Sequence, residues 1–140
     1  MSRDWRLRLD DVVQYGREAV GFVAGVTYEE FASDLRTQRA VVYSLLVVGE
    51  ATKHVPDDVR ARAPRTDWVG AMRFRDRVAH GYDAIDLPTV WRIVHEVVPG
   101  YVAEVAALTA ELDAEMPPGD RPESPEAEVI PPPPPPPPRA

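Results

Sequence analysis

Four long stretches of this chain repeat apolar residues every three to four positions, and almost every stretch is closed by a glycine or a proline. That pattern suits helices packed on one another. Residues 4–24 read as a first helix, with Asp4 as its N-cap and Trp5, Leu7, Leu9, Val12, Val13, Tyr15, Ala19, Val20 and Val23 along one stripe. Gly25 ends it. Thr27 and Glu30 have the spacing of a capping box for a short helix over about 28–35, which turns Phe31 and Leu35 inward. Residues 37–55 are the most apolar stretch. Its β-branched run suits a strand as well, but its length and the later Glu50, Lys53 and His54 favour a central core helix, stopped by Pro56. Asp57 is read as the cap of a short helix to about Ala63. Thr66 or Asp67 opens the next helix, about 67–80, ended by Gly81. Asp86 caps the last helix, with Pro88 in its first turn. Pro99 is expected to kink that helix, because it lacks an amide donor. The fold expected is an all-α up-and-down bundle of four principal helices with one or two short ones.

At Pro117 the composition changes, and eight consecutive prolines (131–138) follow among acidic and small residues. The chain therefore divides into a helical domain, 1–116, and a disordered, acidic, proline-rich tail, 117–140, whose end is locally polyproline II. Such a tail is either a passive extension or a ligand for an aromatic groove elsewhere. A helical domain this small often completes its apolar burial by pairing, so a symmetric dimer is expected. No cysteine is present, which excludes disulfides and thiolate metal sites. No uninterrupted apolar run approaches the roughly 20 residues that span a bilayer, and MSRDWRLRLDD lacks the apolar stretch of a signal peptide. A soluble cytoplasmic protein without a membrane partner is expected.

Net charge is −7, which argues against coating nucleic acid by bulk electrostatics. Charge is unevenly spread, however. Between positions 60 and 77 stand Arg60, Arg62, Arg65, Arg73, Arg75 and Arg77 against only Asp67 and Asp76. These arginines are either solvated faces with local acidic partners or the makings of a phosphate site.

The informative stretch is WVGAMRFRDRVAHGYDAIDLPTVW, residues 68–91. Arg75 can grip a phosphate with two parallel hydrogen bonds. His80 can act as general acid or base, the usual role of an imidazole in such chemistry. Tyr82 offers a hydroxyl just beyond the helix. By residue type alone, the three serve equally well as a C-terminal helix cap. On an ideal helix, Arg75 and His80 point about 140° apart. Two copies of this helix end about a two-fold axis would line one groove with both pairs.

Arg75-Asp76-Arg77-Val78-Ala79-His80-Gly81-Tyr82 resembles the R-x4-H-x-Y motif of HepT-like HEPN proteins. VVGEATKHVP (47–56) resembles the family's glycine-glutamate-alanine segment. Trp68-Val69-Gly70 resembles its lead-in to the motif helix, and the stretch from Tyr82 to Trp91 resembles its link to the last helix. The resemblance covers about residues 5–112 with the segments in order. It implies an RNA endonuclease that needs no metal or other cofactor, the toxin of a type VII toxin-antitoxin pair, with tRNA or mRNA as substrate. Arg75 and His80 match the catalytic pair. Tyr82 matches the tyrosine to which a minimal nucleotidyltransferase antitoxin (MntA-like) transfers AMP. Asp76 occupies a position where asparagine is also common; it either adds charge beside the phosphate or orients Arg75 or His80.

Other residues have plainer readings. Glu50, in the apolar helix, is expected to pair with an arginine of the motif helix. His54 and His95 read as caps or surface residues. Trp5, Trp68 and Trp91 read as core or dimer contacts, and Asp83 and Asp86 as turn and cap residues. Two non-catalytic readings stay open: a helical adaptor that binds a nucleotidyltransferase, and a dimerisation module whose polyproline tail recruits a partner.

Overall fold

The computed structural model describes residues 4–81, 85–116 and 119–120. Tyr82, Asp83 and nearly all of the proline-rich tail lie outside the described residues, so the readings placed on them stand outside the structure. Among the described residues there are six helices and no strand. They are α1 (Asp4–Phe22), α2 (Tyr28–Ser33), α3 (Leu35–Lys53), α4 (Asp57–Arg60), α5 (Trp68–His80) and α6 (Leu87–Ala114). Four are long and two short, and the fold is the expected all-α bundle.

Capping chemistry sets most boundaries. Gly25, at φ 73°, turns the chain after α1 in a conformation that a side chain would disfavour. The Thr27–Glu30 capping box is formed on both sides. Asp34 then does two jobs. Its amide closes α2 onto the Phe31 carbonyl, and its carboxylate accepts from the Arg36 and Thr37 amides to open α3. That cap starts α3 earlier than the periodicity suggests. Leu35 therefore lies in a first turn facing solvent, 58 % exposed, and not inward beside the fully buried Phe31.

Two further expectations are corrected. The N-cap of α4 is Pro56, not Asp57, and the helix stops at Arg60. Asp4 already lies within α1 and so is not its N-cap. Before Pro99, the turn Ile93–Val97 widens into a π-helix whose Val98 amide reaches back to the Ile93 carbonyl. A wider turn relieves the clash between the proline ring and the preceding carbonyl, so α6 runs through.

α3 packs against α1 on one side and α5 on the other, and the second half of α6 packs on α1. Two clusters form the core. One joins Leu9, Val12, Val48, Ala51 and Trp68 to Tyr101, Val105 and Leu108. The other joins Ala19, Phe31, Val41 and Leu45 to Val90, Val94 and Val102. By length and composition alone α6 is apolar enough to cross a membrane, but its apolar stripe (Val90, Val94, Val98, Val102, Val105, Leu108) is buried against the other helices. Among the described residues one buried hydroxyl pair crosses the core, Thr52 with Tyr101 at 2.7 Å, and it leaves no polar group of either side chain unmatched. Burial pushes the Tyr101 phenol up to about 12.

Candidate active site

α5 is positioned from both ends. At its start Asp67 accepts from the Gly70 amide at 2.9 Å. The Trp68 indole N–H reaches the carbonyls of Arg60 and Ala63, at 3.1 and 3.0 Å, and so ties the helix start to the chain that leads into it. Along its length α5 lies unusually close to α3. A Cβ added to Gly49 would stand 2.5 Å from the Arg75 Cβ and 2.6 Å from the Ala71 carbonyl oxygen. Only glycine allows that approach, and it brings the next residue, Glu50, beside Arg75.

Arg75 is consequently held on two sides. Its Nε donates to Glu50 Oε2 at 2.7 Å, and its Nη1 donates to Asp76 Oδ1 at 3.3 Å. Its Nη2 has no acceptor among the described residues. The pairing of Glu50 with a motif-helix arginine is as expected, but the carboxylate is 40 % exposed and not sunk in an apolar helix. Asp76 also receives the Lys53 ammonium. Of the two roles open to Asp76, the structure therefore shows it bonded to Arg75 and not to His80, with its charge shared by Lys53. A hydrogen bond from His54, at 3.2 Å, and then the charge and hydrogen bond of Arg75 hold the Glu50 carboxyl below its ordinary range. Lys53 first and Arg75 second do the same for Asp76.

His54 is the exposed C-cap of α3, as expected, but sequence reasoning missed its bond to Glu50, the part played by Lys53 and the close approach at Gly49. Glu50, Lys53 and His54 share a face of α3 at three- and four-residue spacing. That face carried a signal, but only packing shows that it meets Arg75.

His80 is the last residue of α5, exposed and without a hydrogen-bond partner among the described residues. It lies about 7.5 Å further along the axis than Arg75 and about 140° around it, so the two do not converge within one chain. Gly81 follows with its amide on the Arg77 carbonyl and φ at −174°. This is extended backbone, and the left-handed glycine cap expected there is absent. Asp86 caps α6 as expected, accepting from the Thr89 amide and hydroxyl.

The remaining candidates are structural. Trp68 is buried in the core, against Tyr101. Trp91 packs on Phe31 and Tyr28, and Trp5 lies beneath the Arg6 guanidinium. The exposed His95 bonds within its own helix and stacks on Trp91.

A family model described as "Ribonuclease HepT-like" matches residues 13–108. The chain belongs to the HepT-like ribonuclease family. A Methanocaldococcus jannaschii protein named "Putative RNase MJ0127" is 34 % identical over 114 residues, spanning 81 % of this chain and 94 % of that protein. The "Probable ribonuclease HepT" of Thermococcus cleftensis is 31 % identical over 99 residues, 71 % of this chain and 90 % of its own length. No solved structure matches. The matched segment of this HepT-like chain contains the whole Arg75–His80 helix together with its supports on α3.

Proposed function

We propose that this protein is a metal-independent RNA endonuclease that acts as the toxin of a type VII toxin-antitoxin pair in the cytoplasm, with Arg75 and His80 as its catalytic residues. Membership of a ribonuclease family supports RNA as the substrate. The observation that carries the catalytic assignment is the state of Arg75. Glu50 and Asp76 hold its guanidinium in one orientation, and Nη2 is left to meet an incoming oxygen. A preorganised cation of this kind stabilises developing phosphoryl charge without reorganising as the reaction proceeds.

In the reaction proposed, the ribose 2′-hydroxyl attacks the adjacent phosphorus and a P–O2′ bond forms. The P–O5′ bond breaks, leaving a cyclic phosphate and a 5′-hydroxyl. His80 carries the proton from the attacking oxygen to the leaving one. Arg75 and His80 diverge on one helix, so the working site is a dimer groove in which two copies of the α5 end face one another and each pair is completed across the two-fold axis. Tyr82, two residues after His80, is the proposed acceptor of AMP from a minimal nucleotidyltransferase antitoxin. Its oxygen would take the adenylyl group from ATP with release of pyrophosphate. A bulky anion there would exclude RNA by sterics and by charge.

The test is cleavage of total tRNA and mRNA in EDTA by protein shown by intact mass to be unmodified at Tyr82, beside His80→Ala. Cleavage by the wild type alone establishes the reading. An inactive, unmodified wild-type dimer rejects it in favour of a non-catalytic adaptor that binds a nucleotidyltransferase.

A further inference from the structure

The arginines of the 60–77 segment divide into two groups. Arg60 pairs with Asp57, Arg62 with Glu111 and Glu115, and Arg75 with Glu50 and Asp76. Arg65, Arg73 and Arg77 are exposed and have no carboxylate partner among the described residues; Arg65 lies outside α5, and the other two belong to it. The two stand four residues apart on one side of α5. By helical geometry His80 lies within about 20° of Arg73 and about 60° of Arg77, on the same face, whereas Arg75 faces away from them.

Across from that face lies the start of α6. The backbones of α5 and α6 stay apart where those of α3 and α5 press together. The gap is a groove of about 320 Å³, with Phe74, Val78 and Ile93 among its apolar lining residues. Arg92 lines it from the α6 side, and it too has no carboxylate partner among the described residues. One acid lines the groove, Asp86, and its Oδ2 already accepts from the Thr89 amide and hydroxyl at 3.2 and 2.6 Å. In a chain of net charge −7, three arginines without described partners line one concave surface, and two of them share a helix face with His80. Unpaired cations in a groove focus potential toward a polyanion, and an apolar floor suits the sugar and base faces of a single strand.

We infer that this groove is the track for the RNA sugar-phosphate backbone, and that Arg73, Arg77 and Arg92 contact phosphates flanking the one acted on at His80. These three are positioning residues: they hold the strand and take no part in proton transfer. The inference rests on RNA being the ligand, but not on the protein cutting it.

The test is therefore a binding measurement. A fluorescently labelled single-stranded RNA of about a dozen nucleotides, long enough to cover one site, is titrated with the full-length His80→Ala protein across a series of salt concentrations. Each phosphate contact contributes about 0.7 to the slope of log affinity against log salt for a single strand. Adding Arg73→Gln, Arg77→Gln and Arg92→Gln together is expected to lower that slope by about 2 and to weaken binding by about 30-fold or more at low salt. The corresponding triple lysine variant keeps most of the slope. Arg62→Gln, which removes an arginine from an ion pair outside the groove, changes neither. An unchanged slope in the triple glutamine variant overturns the inference. So does an equal loss in Arg62→Gln, which would reduce the effect to net charge, and so does an absence of RNA binding by the parent. If these arginines govern binding yet the wild type cuts no RNA, the groove stands and the ribonuclease reading falls. If cleavage and its KM survive the triple change, the ribonuclease stands and the groove falls.

Discussion

The two sides of α5 carry the same residue type in opposite circumstances. Toward α3, Arg75 sits where the helices press together at Gly49, and two carboxylates hold it. Toward α6, Arg73 and Arg77 border a groove and have no described partner. The tight side has the features of a reacting group, whose value lies in fixed orientation. The open side has those of a surface that meets a flexible polymer, where rigid pairing would compete with the ligand. Helical spacing puts Arg75 on the opposite side of α5 from Arg73 and Arg77, but only the packing shows which side is clamped and which is open.

Each side can be broken separately. The largest effect is expected for Arg75→Ala or His80→Ala. Loss of the oriented cation or of the proton carrier should lower RNA cleavage by about 100- to 1,000-fold, with the helical circular dichroism signal unchanged. If Arg73→Ala cost as much as Arg75→Ala, the distinction between the two sides would collapse. Gly49→Ala comes next. A methyl group 2.6 Å from a backbone carbonyl oxygen forces α3 and α5 apart, at a cost of about 1–3 kcal/mol in denaturant unfolding. Cleavage should fall with it, because Glu50 moves off Arg75.

Glu50→Gln sharpens the comparison. It keeps an acceptor for Arg75 and removes the charge. Stability should change by less than about 1 kcal/mol, since the pair is well exposed. kcat should drop about tenfold with KM little altered, the pattern of a residue that orients a catalytic group without binding substrate.

The smallest effect is in pH. Glu50 and Asp76 both have carboxyls held below their ordinary values. Their contribution to stability is therefore complete above the unfolded carboxylate pKa, about 4. It is lost as pH falls below that value through the folded one. Urea unfolding between about pH 3 and pH 6 should show a shallower acid decline in Asp76→Asn than in the wild type. Parallel curves would show that the Lys53–Asp76–Arg75 chain adds nothing to the fold.

Much of this molecule was legible in the residues. The four long helices, the Thr27–Glu30 box, the caps at Asp67 and Asp86 and the partnership of Glu50 with the motif helix all follow from local spacing and from the cost of leaving polar groups unpaired. The misreadings were also local. Leu35 faces solvent because Asp34 started α3 early, and Pro56 took the capping place read for Asp57. In each case one local preference gave way to another that the surrounding packing could accommodate.

By itself, then, the sequence determined that this is a helical bundle with an R-x4-H motif at the end of its fifth helix, since helical periodicity and capping act over a few residues. Only the tertiary structure decided which arginine is clamped, by which carboxylates, and which side of α5 stays open. Those outcomes depend on the separation between helices. At Gly49 that separation is set by the absence of a single Cβ, and opposite α6 it is set by where the bundle leaves two helices unpacked.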